Sequence, residues 1–124
     1  MARAEDLPLY KDMYSLTMCL IQQSRHFPRL FKYTLGQRLI DRSVELTNMI
    51  RIANMEKDEA RLTVLKNFAV QFGELRLLIR ISQESDALHV KPAADIVILV
   101  EAILRQLNGW TSKTVEQIRR QQNK

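Results

Sequence analysis

Arg25, Arg29, Lys32, Arg38 and Arg42 fall in and beside FPRLFKYTLGQRL, residues 27–39, a stretch that contains no Asp or Glu. Cations at this density suit one chemistry above others: neutralising the phosphates of a polyanion. Arg38 and Arg42 are four residues apart and share a helix face, with Glu45 beside them to neutralise Arg42. A second pair, Arg76 and Arg80, stands inside LRLLIRIS, at the edge of an apolar stripe. There an arginine snorkels, pairs with a carboxylate or points into an oligomer channel. Arg105 and Lys113 follow further along the chain, and Arg119 and Arg120 near its end. For any single arginine, a solvated face with a local ion pair is the stronger reading. For the group, 19 Lys and Arg against 14 Asp and Glu, a net charge of +5, favour an anionic partner.

Other chemistries find no constellation to work with. Ferritin-like di-metal sites need Glu-x-x-His on two helices plus two further inward Glu. This chain offers one Asp/Glu-x-x-His, Asp86 with His89, in a connecting segment, and His26 lies in another. Two histidines and one cysteine at these spacings do not make a zinc site, so no metal or other cofactor is expected. Three scattered glycines cannot build a phosphate loop, and the serines show no nucleophile elbow. Cys19, between apolar neighbours, reads as a small buried side chain. The expectation is a protein that is not an enzyme.

The elements that must position the cations are helical. Hydrophobic residues make up 46% of the chain and charged residues 27%, a soluble globular balance, and three Gly with three Pro leave few turns for an all-β fold. A first helix is expected from Pro8 to about Gln23, with Leu9, Met13, Leu16 and Leu20 inward. A second should open at Pro28 and run to about Met55 on Phe31, Leu35, Leu39, Leu46, Met49 and Ala53. Gly36 within it costs about 1 kcal/mol relative to Ala, which points to another helix passing close. A third follows EKDEA, whose carboxylates suit a helix N-terminus, and ends near SQESD. Its inward residues read as Leu62, Leu65, Ala69, Phe72, Leu75 and Ile79. A fourth starts at Val90 or Pro92 and stops at Asn108-Gly109, with Ala93, Ile96, Val97, Val100, Ile103, Leu104 and Leu107 inward. Phe27, Phe31, Tyr33, Phe68 and Phe72 sit at helical spacing and read mostly as core.

Short connections make the fold class all-α: an antiparallel four-helix bundle, up-down-up-down. The bundle occupies residues 1–113, and 114–124 form a polar basic tail, frayed helix or disordered. One cysteine and no apolar signal core fit a cytoplasmic protein, and no apolar run nears the about 18 residues of a membrane span.

Two helices carry more apolar surface than one core stripe needs. Tyr10, Tyr14 and Ile21 form a second stripe on the first helix, and Ile98 and Leu99 lie off the main stripe of the fourth. A wide core contact would absorb them; homo-oligomerisation is the economical alternative.

The basic stretch also carries a resemblance. A proline followed by basic residues and an aromatic, then TLGQRL, is similar to the accessory variability determinant of diversity-generating retroelements. It also resembles the related four-helix proteins encoded in intervening sequences of large-subunit ribosomal RNA genes. LRLLIRIS at 75–82 and ILRQLNGW at 103–110 continue the pattern, so that it covers roughly residues 8 to 111. LTNMIRIANMEKDEA departs from the Ala-Glu-Gly-like segment usual in the ribosomal relatives, which favours the retroelement side. The resemblance implies a four-helix bundle assembled as a pentameric barrel, without a catalytic site, in a prokaryotic or phage-encoded system. It also implies binding of RNA or DNA and association with a reverse transcriptase that makes mutagenised cDNA from a template RNA. Arg29, Lys32, Arg38, Arg76 and Arg80 stand in the matching motifs, and with Arg42, Arg105 and Lys113 they are the expected contacts to nucleic acid or polymerase. The alternative is an oligomeric scaffold of the intervening-sequence kind that binds a protein partner and no nucleic acid.

Overall fold

The computed structural model of the chain describes residues 3–123. Among them are a short 3-10 turn, Ala4–Asp6, and four helical segments, with no strand. We label the helices α1 (Pro8–Ser24), α2 (residues 29–55), α3 (Asp58–Glu84) and α4 (Val90–Gln122). Each packs against the next, and α4 returns to pack against α1, so all four share one core.

That core follows from apolar residues recurring every three or four positions, which puts one stripe of each helix inward. Leu9, Met13, Leu16 and Leu20 are the buried stripe of α1. Leu39, Leu46, Ile50 and Ala53 serve α2; Leu65, Phe68, Phe72, Leu75 and Ile79 serve α3; Ala93, Ile96, Val100, Ile103 and Leu107 serve α4. Phe68 and Phe72 stack at 5.8 Å between ring centroids, worth about 1 kcal/mol beyond their buried area. Two positions of the inward stripes expected on α3 and α4 differ. Ala69 is exposed, because the alternating spacing through Leu65, Phe68 and Phe72 leaves it one residue past the stripe, and the larger Phe68 takes the inward place. Val97 is exposed for the same reason of register, one residue past Ile96.

Helix boundaries were legible at most ends. Pro8 opens α1 at its first turn, whereas Pro28 stands just before α2 with extended backbone, ψ 148°. Asp86 closes α3 in the left-handed region, φ 60°. Its turn lets the Ala87 and Leu88 amides donate to the Ser82 carbonyl, the usual way to satisfy orphan carbonyls at a helix end. At the far end of α2, Arg61 from α3 donates to the carbonyls of Ala53 at 2.9 Å and Asn54 at 3.4 Å.

The expected stop at Asn108-Gly109 is not one. α4 continues through Gly109 to Gln122 because its inward stripe continues past the glycine. Trp110 packs against the core with the Arg61 guanidinium 5.3 Å from its ring centre, and Thr114 is buried. Residues 114–122 are therefore helical, and Gln121 donates to Asp58 at 3.3 Å.

Candidate nucleic-acid interface

The start of α2 is not a plain α-helix. Arg29–Phe31 is α-helical, Lys32–Gly36 forms a π turn, and Gln37–Met55 is α-helical again. A π turn closes i→i+5 hydrogen bonds and so absorbs one extra residue. Its effect is visible in the burial pattern. Counting back from Leu39 at unbroken α spacing, the buried positions would be Gly36, then Lys32, then Arg29. With the extra residue taken up, Leu35 and Phe31 turn partly inward and pack on the core, while Lys32 and Arg29 are left in solvent. Gly36 makes this packing possible: a Cβ there would lie 3.2 Å from the Ser24 Cβ, at the end of α1, and 3.6 Å from the Phe27 ring. The close approach expected at this glycine is with the end of α1.

The resulting surface is cationic without compensation. Between Asp12 and Asp41 the sequence holds no carboxylate side chain. Arg25, His26, Arg29, Lys32 and Arg38 are all exposed, and none forms an ion pair among the described residues. Asp41, the first carboxylate downstream, accepts from Gln37 at 2.9 Å. Tyr33 was expected mostly in the core; it is instead 72% exposed, with the Lys32 Nζ 5.9 Å from its ring centre. Phe27, Phe68 and Phe72 are buried, and Phe31 half-buried, as the spacing predicts.

The other expected cations lie in different surroundings. Arg42 is half-buried and doubly paired, to Glu45 at 3.1 Å and to Glu74 on α3 at 2.8 Å, and it also donates to Gln71 at 2.9 Å. Arg80 pairs with Glu84 at 3.1 Å. Arg76 and Arg80 border a groove between α3 and α4 that includes Val97, Val100 and Glu101. Lys113 lines another groove with Arg61 and Trp110, and Arg105 is exposed on α4. Arg29, Lys32 and Arg38 thus form one group at the head of α2, while Arg42, Arg76, Arg80, Arg105 and Lys113 are distributed over α2, α3 and α4.

The extra apolar stripes are only partly open. Tyr14 is 54% and Ile98 66% exposed, whereas Tyr10, Ile21 and Leu99 are half-buried. Tyr10 and Leu99 pack on the chain's own core, and Tyr10 stacks on Tyr14 at 6.4 Å. Sequence reasoning missed Val70, Leu77 and Ile81, exposed along the outer side of α3, where their seven- and four-residue spacing was the available signal.

His26 and His89 are exposed in the connecting segments, as expected. No group of three or more His, Cys, Asp or Glu that could hold a metal ion occurs among the described residues. Cys19 is half-buried. Burial, and then the charge of Asp95, push its thiol above the ordinary value, which keeps it protonated and poorly nucleophilic at neutral pH. No helix among the described residues is long and apolar enough to cross a membrane.

With this geometry in place, the comparisons with known proteins fall on the side of the resemblance. The family model described as bAvd-like matches residues 9–114. The chain therefore belongs to the bAvd-like family. No curated protein matches it.

Proposed function

From membership of the bAvd-like family we infer that this chain is a non-catalytic accessory protein of a diversity-generating retroelement. It binds the template RNA, or the cDNA made from it, and associates with the reverse transcriptase to support mutagenic copying. One observation carries the nucleic-acid part: the carboxylate-free head of α2, where Arg29, Lys32 and Arg38 stand in solvent without ion pairs among the described residues. Free cations bind phosphate without first breaking an internal pair, and here three of them stand close together in sequence with no carboxylate side chain between Asp12 and Asp41. Arg76, Arg80, Arg105 and Lys113, on other faces, then serve as further contacts to nucleic acid or polymerase.

The rest of the reading fits this role. The short connections and the closed round of helix contacts support an up-down-up-down antiparallel bundle. Tyr14 and Ile98, open on α1 and α4, support self-association, which the family resemblance makes pentameric. In this assembly the bundle expected over residues 1–113 continues into the last turns of α4, residues 114–124 carry additional positive charge, and the site of action is the cytoplasm. A second reading, a scaffold that binds only protein, draws on the same exposed apolar residues together with Leu77 and Ile81.

The deciding measurement is binding of a structured RNA by the purified protein across a salt series. On the accessory-factor reading, affinity falls steeply with salt, with a log–log slope of about 0.7–0.9 per phosphate neutralised, and tagged protein retains the reverse transcriptase. Absence of RNA binding at low salt, with polymerase still retained, would leave the protein-only scaffold as the correct reading.

A further inference from the structure

We propose that the head of α2 is a single-strand site: Tyr33 stacks on an unpaired nucleobase while Arg29, Lys32 and Arg38 hold the flanking phosphates. The proposal rests on the nucleic-acid reading above and narrows it to one kind of strand. It starts from a contrast among the aromatic rings. Phe27, Phe68 and Phe72 are spent on the core. Tyr14 is covered on one side by Tyr10. Trp110 has a cation over its ring, but it is half-buried, and the Arg61 concerned is held by two backbone carbonyls. Tyr33 is 72% exposed, takes part in no ring stacking and makes no hydrogen bond among the described residues, and Lys32 directly precedes it, with Arg29 four residues before and Arg38 five after.

The π turn gives those neighbours their places. In a segment closed by i→i+5 bonds, residues four and five apart come to lie along one side of the helix. Arg29 and Tyr33, four apart across the start of the turn, share one side, Arg38 follows about a quarter turn round, and the Lys32 Nζ lies over one face of the Tyr33 ring, 5.9 Å from its centre. Leu30, 74% exposed, adds apolar surface one turn earlier. An aromatic face set between phosphate-binding cations is the arrangement by which proteins hold single strands. Bases in a duplex are already stacked on one another, so an open ring gains nothing from them. Charge complementarity, with no carboxylate between Asp12 and Asp41, fixes the sign of the partner.

The test uses the full chain and three probes: an oligothymidylate of about 20 nucleotides, long enough to span a site of this kind, an abasic strand with the same phosphates, and a duplex of equal length. Tyr33→Ala is expected to weaken the oligothymidylate about five- to a hundredfold, the loss that removing one base–aromatic stack produces. The abasic strand and the duplex should be unaffected, and Tyr33→Phe should restore binding. Equal weakening on the abasic strand would mean that Tyr33 shapes the helix and stacks on nothing, which overturns the proposal. So would an unchanged oligothymidylate affinity. In that case Arg29, Lys32 and Arg38 changed together to Gln show which idea failed: lost binding keeps the basic surface and rejects the stack, and retained binding rejects both. Tyr33-dependent binding to phosphatidylserine vesicles in preference to the strand would reassign the surface to lipid.

Discussion

At the head of α2, Arg29, Lys32 and Arg38 stand in solvent; half-way along the same helix, Arg42 is clasped by Glu45, Glu74 and Gln71. In sequence the two regions look alike, cations at helical spacing with few acids nearby. They differ because of what the fold brings up to them. Glu74 and Gln71 belong to α3, about thirty positions away in sequence, and α2 packs on α3 at that level. The π turn at the head of α2 instead points Lys32 and Arg29 into solvent and brings the end of α1, which offers no carboxylate there, against Gly36. The lesson is that charge spacing locates cations, whereas packing decides which are already satisfied. A satisfied pair loses its mutual attraction when phosphate arrives, and a free cation does not.

The comparison breaks most severely if the head of α2 is displaced. Gly36→Leu drives a side chain into space where even a Cβ lies 3.2 Å from Ser24. Overpacking of this kind costs about 2–3 kcal/mol. Urea unfolding should show the midpoint falling with an unchanged slope, and RNA affinity should fall in parallel at concentrations where the variant is still folded. A stability within experimental error of the parent would mean that α1 and α2 do not hold each other at this glycine.

Neutralising the free cations leaves the fold intact and removes the contacts. Arg29, Lys32 and Arg38 changed together to Gln should lower RNA affinity about tenfold or more at moderate salt, and flatten the log–log salt dependence by about two to three units, roughly 0.7–0.9 for each of three lost phosphates. Stability should hardly change, because exposed cations without partners contribute little to it. Undiminished affinity with the original slope would falsify the assignment of this surface.

How far these outcomes were readable in advance differs between fold and site. The four helices follow from hydrophobic spacing, because a stripe of Leu, Ile, Val and Phe has few other ways to leave water. Their starts follow from Pro8 and Pro28 and one end from the SQESD turn. Gly109 misled because a glycine's cost of about 1 kcal/mol is outweighed once Trp110 and Thr114 extend the buried stripe. At the site, the group Arg29, Lys32 and Arg38 was visible, and so was the Arg42–Glu45 pair, three residues apart on one helix. The pairing with Glu74 was not, because it depends on helix-to-helix register. Tyr33 was misplaced because a helix of uniform period carries no sign of a π turn. The sign that existed was the four-residue run Phe31, Leu35, Leu39, which is too slow a repeat for a straight α stripe.

The middle of α2 offers the opposite test. Arg42→Met removes a cation that is already occupied, so RNA affinity and its salt slope should stay within about twofold of the parent. Stability should fall by about 1 kcal/mol, since both carboxylates are more than half exposed and such pairs are individually weak. The Met side chain keeps most of the apolar contact that the arginine stem made. A large loss of RNA binding in this variant would show that phosphate competes successfully with Glu45 and Glu74, and the distinction between the two regions would disappear.

The finest test converts one region into the other. Changing Glu45 and Glu74 together to Gln keeps side-chain size and the capacity to accept a hydrogen bond, but removes both charges that hold Arg42. Arg42 then has the electrostatic surroundings of Arg38, and the local field becomes more positive by two charges. RNA affinity should rise about two- to fourfold at low salt, and the gain should fade as salt screens the surface. The same substitutions in the Arg42→Met background should give a smaller gain, because only the general field changes and no cation is released. If both backgrounds gain equally, the effect is net charge alone, and the pairing of Arg42 is not what separates the middle of α2 from its head.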